Sequence, residues 1–438
     1  MEQIVTVVGG GLAGSECALQ LARRGVRVRL FEQRPAKESP AHHGEGLAEL
    51  VCSNSLKSTK PDTAAGLLKE ELDLMGCELL PIARSCSVPA GGALAVDREA
   101  FSRAVTERVE ASPLIELVRE EVTEIPDGPC VIAAGPLCSD ALFSALSSVV
   151  GGEGMSFFDA AAPIVDAESL DRSVVFEQSR YGEEGTGDYL NCPMGREEYD
   201  AFMEALLSAE RVLARDFEQA ELFCACQPVE EVARTGHDSL RFGALKPVGL
   251  TDPRTGRRPW AAVQLRAESA SRAAYNLVGF QTNLKFPEQK RVFSMIPGLE
   301  QAVFARYGVM HRNTFLNSPK LLNADFSLRQ DPRIFFAGQI TGVEGYMESA
   351  SSGLIAGIAL ARRRLGLAPL ELPATTMLGA LTRHVSAAVT EDFQPMGSNM
   401  GILPPLPEPV KGKSERYAAL SARALSDLET TLSRLEDF

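Results

Sequence analysis

The chain has few of the features that mark membrane, secreted or metal-bound proteins. No run of about 18 apolar residues occurs in its 438 positions, and the three residues before the first apolar stretch contain no basic region. The nine cysteines are odd in number and show no Cys-x-x-Cys spacing, which disfavours a disulfide framework and a zinc site. We therefore expect a cytoplasmic protein without a membrane anchor or a metal, in which any special cysteine is reactive rather than structural.

Positive charge is scarce overall but concentrated in one segment. The formal net charge is -14, which by itself disfavours a nucleic-acid partner. Residues 241–333, however, contain fifteen Lys or Arg and six Asp or Glu, so this segment carries +9 and the rest of the chain -23. Clustered cations of this kind suit phosphate binding, and a solvated charged surface is the alternative interpretation.

The first 32 residues have the pattern of a dinucleotide-binding unit. Residues 4–8 are rich in β-branched side chains and lead into the glycine-rich run 9–14, which is followed by helical spacing over 16–24. A second predicted strand, 26–31, ends at Glu32, 23 residues after Gly9. In such a unit the glycines permit a tight turn and the approach of a pyrophosphate to a helix N-terminus, and the acid accepts from ribose hydroxyls. A glycine turn without a ligand is the alternative.

A second glycine turn near the end of the chain favours FAD over NAD as the bound cofactor. Residues 333–339 predict a short strand that ends in glycine, before a helix of small residues over 349–364. By fold analogy, flavoproteins with two dinucleotide-binding domains close the flavin site with such a late strand, and residues 131–136 fit their intervening strand. The predicted cofactor contacts are Gly9, Gly10, Gly11, Leu12, Ala13, Gly14, Glu32, Gly338 and Gln339.

These signals predict an α/β, FAD-binding Rossmann-like fold of that flavoprotein type with an inserted α+β domain. Residues 1–150 and 331–438 would form the discontinuous FAD domain, and 151–330 the inserted substrate- or RNA-binding domain. Further predicted elements are helices over 64–75 and 98–109, a strand over 114–118 and a terminal amphipathic helix over 414–435.

Two groups of cysteines are candidates for chemistry. Cys52 lies in a run of small polar residues soon after the Glu32 strand, and a buried inert thiol is the alternative. Cys224 and Cys226 stand one residue apart and would share one face of a strand. On this pattern alone a redox or metal pair, a single nucleophile and a structural role all remain open.

Nearly the whole chain resembles the bacterial folate- and FAD-dependent tRNA uracil-C5 methyltransferases, which make ribothymidine in the T-loop. The matching blocks include GGGLAGSE (9–16), VCSNSLKS (51–58), GALAVDREAF (92–101), YLNCPM (189–194), LRFGALKPVGL (240–250), VQLR (263–266), GFQTNLK (279–285), HRNTFLN (311–317), FAGQITGVEGYMES (336–349) and FQPMGSNMGILPPL (393–406). The resemblance implies that a one-carbon unit passes from methylenetetrahydrofolate through reduced FAD to C5 of uracil, with NAD(P)H re-reducing the flavin.

The resemblance also implies roles for two thiols. Uracil C5 is a poor nucleophile until a thiolate adds to C6, and the C5 proton must then leave to a base. The family pattern assigns the nucleophile to Cys226 and the proton acceptor to Cys52. Two positions depart from that pattern, since Cys224 stands where an acid is usual and Gly397 where Asn is usual. Cys224 would compete with Cys226 or form a disulfide with it.

With tRNA as the partner, the basic segment becomes the predicted RNA surface. Its candidates are Lys246, Arg254, Arg257, Arg258, Lys285, Arg291 and Arg312. The alternatives are a paralogous methyltransferase that acts on ribosomal RNA, the larger flavoprotein that modifies the tRNA wobble uridine, and a flavin oxidoreductase that acts on a small molecule.

Overall fold

The computed structural model describes residues 4–38, 42–151, 154–160, 162–182, 187–212, 227–267, 272–308, 310–387, 393 and 395–435. Cys224 and Cys226 lie outside these ranges. Within them, no helix combines the length and the apolar character needed to cross a bilayer.

The elements are numbered here in chain order. The strands are β1 (Val5–Val8), β2 (Val28–Phe31), β3 (Ser55–Ser58), β4 (Ser87–Val88), β5 (Ala93–Val96), β6 (Ile115–Val118), β7 (Cys130–Ile132), β8 (Gly154–Ala160), β9 (Ile164–Asp166), β10 (Phe176–Glu177), β11 (Tyr189–Met194), β12 (Ala261–Ala267), β13 (Ala274–Leu277), β14 (Phe304–Arg306), β15 (Met310–Leu316) and β16 (Ile334–Phe336). The helices are α1 (Leu12–Arg23), α2 (Ala64–Leu74), α3 (Leu79–Ser85), α4 (Arg98–Glu110), α5 (Asp140–Val150), α6 (Arg196–Ser208), α7 (Val229–Arg234), α8 (Ser239–Phe242), α9 (Phe286–Phe293), α10 (Ser318–Leu321), α11 (Tyr346–Leu365), α12 (Met377–Ala387) and α13 (Lys413–Leu432).

A five-stranded parallel sheet carries the glycine-rich turns. Its order is β16-β7-β1-β2-β6, and each neighbouring pair is parallel. β1 and β7 are fully or almost fully buried and rich in Val and Ile, as expected for strands covered on both faces. The late strand β16 pairs with β7, so the chain returns to the N-terminal sheet as the sequence predicts.

A second sheet belongs to the middle of the chain. It has the order β10-β11-β12-β13-β9-β14 with antiparallel pairs, and β12 is buried along its whole length between β11 and β13. α6 and α9 contribute buried side chains to the same core. A ribbon of β8 and β15 runs between the two parts of the chain, with Gly154 opposite Leu316.

The two largest hydrophobic cores among the described residues follow this division. One collects buried side chains from positions 5–150 and 315–428, and the other from positions 162–302. The predicted fold class, a Rossmann-like parallel sheet with an additional sheet domain, is thus the one observed. The exact domain boundaries stay a prediction.

The predicted elements are present, but two helices begin earlier than their apolar spacing indicated. α1 begins at Leu12 rather than at residue 16, and α11 at Tyr346 rather than at 349. In each case the first turn follows directly on a glycine N-cap, Gly11 or Gly345. A glycine N-cap has no side chain to mark a helix start in the sequence, so the predicted starts fell about one turn late.

Candidate functional site

A cleft lies at the carboxyl edge of the parallel sheet, where ligands bind in open α/β folds. Its empty volume is about 1040 Å³. The cleft brings together residues that follow β1, β2, β7 and β16, which are far apart in sequence. Eight of the nine predicted cofactor contacts line it: Gly9, Gly10, Gly11, Leu12, Ala13, Glu32, Gly338 and Gln339.

The glycine turn after β1 brings backbone to the cleft wall without side chains. Gly9 has a φ of +105°, which only glycine adopts readily. A Cβ on Gly14 would lie 1.8 Å from the Gly9 carbonyl oxygen, so Gly14 packs α1 against the turn from behind instead of lining the cleft. A Cβ on Gly11 would meet no protein atom within 4 Å, because it would project into the open cleft.

Glu32 anchors the turn and retains its negative charge. Its side chain is 6% exposed; Oε2 accepts from the Gly10 N–H at 3.0 Å, and Oε1 accepts from the Arg34 Nε at 2.9 Å. Burial alone would raise the pKa of Glu32, but the hydrogen bonds and charge of Arg34 outweigh burial and hold that pKa below its ordinary value. A carboxylate with this set of partners still has acceptor capacity for a ribose hydroxyl.

Two long helices direct their N-termini at the cleft. Leu12 and Ala13 of α1 and Tyr346 and Ser349 of α11 all line it. The helices touch through backbone, since a Cβ on Gly353 would lie 2.0 Å from the Ala13 carbonyl oxygen. Helix N-termini attract anions. A side-chain-free turn, two helix N-termini and a charged acceptor together fit a dinucleotide such as FAD.

Cys52 lies at the border of this cleft, in a loop held at its backbone. The side chain of Cys52 is partly exposed, and its neighbour Val51 lines the cleft. The Tyr346 hydroxyl accepts from the backbone N–H groups of Cys52 at 2.9 Å and Ser53 at 3.1 Å. Arg98 donates to the Cys52 carbonyl at 3.0 Å. Burial raises the pKa of Tyr346 far above its ordinary value, so its hydroxyl stays protonated and keeps a proton to donate.

Comparisons with known proteins identify the family. The sequence profile described as glucose inhibited division protein A (GIDA) matches residues 4–368. This chain is 58% identical to a Geobacter sulfurreducens protein named methylenetetrahydrofolate--tRNA-(uracil-5-)-methyltransferase TrmFO, over 99% of this chain and 100% of that protein. A protein of the same name from Heliobacterium modesticaldum is 56% identical over 97% of each chain. The chain belongs to the GIDA family.

Within the GIDA family the chain groups with the TrmFO proteins, which confirms the resemblance predicted from the sequence blocks. Among solved structures, Aquifex aeolicus GidA in its form II crystal has a TM-score of 0.68 at 16% identity, over 98% of this chain and 75% of that one. At this identity the match establishes the fold. It agrees with the predicted Rossmann-like architecture with an additional sheet domain.

The thiols of this GIDA-family chain lie in different environments. Burial raises the pKa values of Cys17 and Cys192 far above their ordinary range and that of Cys130 to about 12, as expected of inert core thiols. Cys52 differs from these three because it is partly exposed at the cleft border. Cys226, the predicted nucleophile, lies outside the described residues, and its role stays a prediction.

Some of the Lys and Arg side chains predicted to bind RNA already form ion pairs within the protein. Lys285, Arg291 and Arg254 each form an ion pair, with Glu210, Glu288 and Asp252 respectively. Lys246, Arg257 and Arg258 are exposed, and no ion pair joins them to another described residue. The side chain of Arg312 lies outside the described part. The predicted RNA surface therefore centres on 246 and 257–258.

Several residues at the site escaped prediction from the sequence. Arg34 is buried with Glu32 and also donates to Glu49 at 2.7 Å. His42 lines the cleft, and burial together with the charge of Arg34 lowers its pKa to about 4, so it is neutral near pH 7. An Arg beside a strand end and a single His carry no periodic signal. Only their nearness to Glu32 in space distinguishes them.

Proposed function

We propose that this protein transfers a one-carbon unit from methylenetetrahydrofolate to C5 of a T-loop uridine in tRNA, giving 5-methyluridine. FAD is the bound cofactor, and methylenetetrahydrofolate and NAD(P)H are co-substrates. The observation that carries the proposal is the 58% identity with a protein named for this reaction, along the full length of both chains. We further propose that the protein acts in the cytoplasm.

The cleft residues bind and orient the cofactor. The backbone of the turn at Gly9, Gly10 and Gly11 would hold the pyrophosphate, and Glu32 would accept from the ribose hydroxyls. Gly338 and Gln339 bound the cleft on the side of β16. When bound, FAD would supply the redox chemistry of the one-carbon transfer.

Two thiols of the chain act on the base. Cys226 adds to C6 of uracil, which places electron density on C5. Cys52 then accepts the C5 proton. Its position at the cleft border, with its peptide groups held by Tyr346 and Arg98, supports this role because a base must be within hydrogen-bond reach of the proton it removes.

Three exposed cations of the basic segment bind the RNA backbone. Lys246, Arg257 and Arg258 lie in the domain that carries the second sheet, and phosphate contacts need exposed Lys and Arg. The acidic remainder of the chain does not oppose this, since binding depends on local charge and shape.

A single incubation tests the reaction class. Purified protein with its flavin, methylene-labelled folate, NAD(P)H and unmodified tRNA should give 5-methyluridine that carries the label. Ribosomal RNA in place of tRNA is the matched control. Label in ribosomal RNA alone, or no label in either RNA from flavin-loaded protein, contradicts the proposal.

Cysteine variants test the roles of the thiols. Cys226→Ala should abolish methyl transfer, whereas Cys224→Ala should be tolerated. Cys52→Ala should form the C6 adduct and then stall, so that covalent protein–RNA accumulates through Cys226. A dead Cys224 variant, or RNA trapped in the Cys226→Ala protein, would reverse the assignments while leaving the fold unchanged.

A further inference from the structure

A buried arginine of the second sheet holds the loop that contains Cys52. Arg266 is 7% exposed and lies one residue before the end of β12. Its Nη2 donates to the Ser53 Oγ at 2.6 Å, and its Nε donates to the Asn54 Oδ1 at 2.7 Å. Two nitrogens of one planar guanidinium thus bind the two residues that follow Cys52.

The loop that contains Cys52 also donates to β12 through Asn54, which is fully buried. Its Nδ2 donates to the Ala267 carbonyl of β12 at 2.8 Å and to the Val96 carbonyl of β5 at 3.1 Å. Asn54 therefore joins the two parts of the chain. Arg266 donates to the Asn54 side chain, and Asn54 donates to the backbone of the next residue of β12, so the loop and the strand end are joined by hydrogen bonds in both directions.

The strand that carries Arg266 also begins next to the predicted RNA surface. β12 starts at Ala261, three residues after Arg258, and lies between β11 and β13 in the interior of its sheet. A seven-residue strand spans about 23 Å at about 3.3 Å per residue. One rigid element thus runs from the cations at 257–258 to the loop of Cys52.

We propose that Arg266 is a positioning residue that sets the Cys52 sulfur relative to the domain that binds the RNA; this rests on the function proposed above. Tyr346 and Arg98 fix the peptide groups on either side of Cys52, but both belong to the part of the chain that contains the parallel sheet. Arg266 links the loop to the other sheet through two side-chain hydrogen bonds, beside the bond from Asn54 to the Ala267 carbonyl. When bound RNA fixes the position of the second sheet, the contacts of Arg266 fix the position of Cys52, the proposed proton acceptor, relative to that RNA.

Positioning matters most in the step that removes the proton. The C5–H bond of the covalent adduct breaks, its proton passes to the Cys52 sulfur, and its electron pair stays on the pyrimidine ring. Misplacement of a reacting group by about 1 Å lowers rates by roughly 100-fold. Addition of Cys226 to C6 does not involve the Cys52 sulfur, so loss of the Arg266 contacts should slow only the later step.

Arg266→Lys tests this, because lysine keeps the charge but cannot donate to two acceptors in the same fork. We expect tRNA affinity and flavin content within about twofold of the wild type and turnover roughly 10–100-fold slower. Covalent protein–RNA should accumulate, and a deuterium isotope effect from C5-deuterated uridine should grow. Ser53→Ala removes one of the two acceptors and should give a smaller change in the same direction.

Arg180→Lys is the matched control. Arg180 also donates to a side chain of β12, from its Nε to the Gln264 Oε1 at 3.0 Å, and it donates to the Lys246 and Val248 carbonyls, away from the Cys52 loop. It should lose a similar amount of stability without adduct accumulation. The alkylation rate of Cys52 by iodoacetamide gives a readout without turnover, and it should change in Arg266→Lys but not in Arg180→Lys.

The outcomes separate the two proposals. If the wild type binds tRNA but releases no C5 proton, the proposed function is wrong. If the wild type methylates tRNA while Arg266→Lys matches it in adduct fraction, isotope effect and alkylation, Arg266 has no positioning role. Equal changes in Arg266→Lys and Arg180→Lys would show that the effect comes from a general loss of stability in the second sheet. That result would also overturn the inference.

Discussion

Replacement of Gly11 by alanine should remove flavin without unfolding the protein. Gly11 is the N-cap of α1 with φ -72° and ψ -169°, an extended conformation that alanine adopts without strain. Its Cβ would meet no protein atom within 4 Å. We expect the flavin-free variant to unfold within about 1 kcal/mol of the flavin-free wild type, because the lost N-cap preference is offset by reduced freedom of the unfolded chain.

The added methyl group occupies the space that a phosphate needs in order to reach the backbone at the start of α1. Loss of about two charge-assisted hydrogen bonds costs about 1.5–3 kcal/mol each, or about 3–6 kcal/mol in total. The Kd for FAD should therefore rise by roughly 10²–10⁴-fold. The measurements are flavin absorbance after gel filtration, titration of the flavin-free protein with FAD, and urea denaturation of both flavin-free forms.

Gly236→Ala is the control, since a Cβ there also meets no atom within 4 Å and Gly236 lies outside the cleft. Both variants should keep the stability of the fold, but only Gly11→Ala should lose flavin. Wild-type FAD affinity in Gly11→Ala would show that the turn after β1 does not hold the pyrophosphate. Retention of NAD alone by the wild type would refute the choice of cofactor.

Three further predictions concern packing, pH and charge. Gly14→Ala should destabilise the protein by about 3 kcal/mol in urea denaturation, because its Cβ would lie 1.8 Å from the Gly9 carbonyl oxygen; wild-type stability would contradict this. Burial raises the pKa of Glu71 from 4.5 to about 7, although hydrogen bonds from the N–H groups of Leu378 and Met377 lower it. The contribution of Glu71 to stability is therefore complete below pH 4.5 and is lost as the pH rises through 7. That loss is at most about 3 kcal/mol. Glu71→Gln should make the urea denaturation midpoint depend less on pH between pH 5 and 7.5, and an unchanged slope would show that other groups cause the pH dependence. Charge reversal at Arg257 and Arg258 should weaken tRNA binding and reduce its salt dependence with flavin content unchanged, and unchanged affinity would remove both residues from the interface.

The sequence by itself determined the elements whose information is local. Three kinds of local pattern predicted the first unit: β-branched runs for β1, glycines at 9, 11 and 14, and an acid at 32 after β2. Hydrophobic periodicity predicted α2 and α4 to within one residue at each end. These patterns are readable because each depends on residues that are close together in the sequence. The family followed from ordered blocks along the chain.

Only the tertiary structure decided which distant residues meet. The contact between Ser53 and Arg266 spans 213 positions, and that between Cys52 and Tyr346 spans 294. No local pattern marks either pair, since a single buried polar contact has no periodicity. The same holds for the charge of Lys285, which pairs with Glu210 75 positions earlier, whereas Arg254 and Arg291 pair with acids close by in sequence. Side-chain chemistry is set along the chain, but the partners of Arg266 and Lys285 depend on which distant segments the fold brings together.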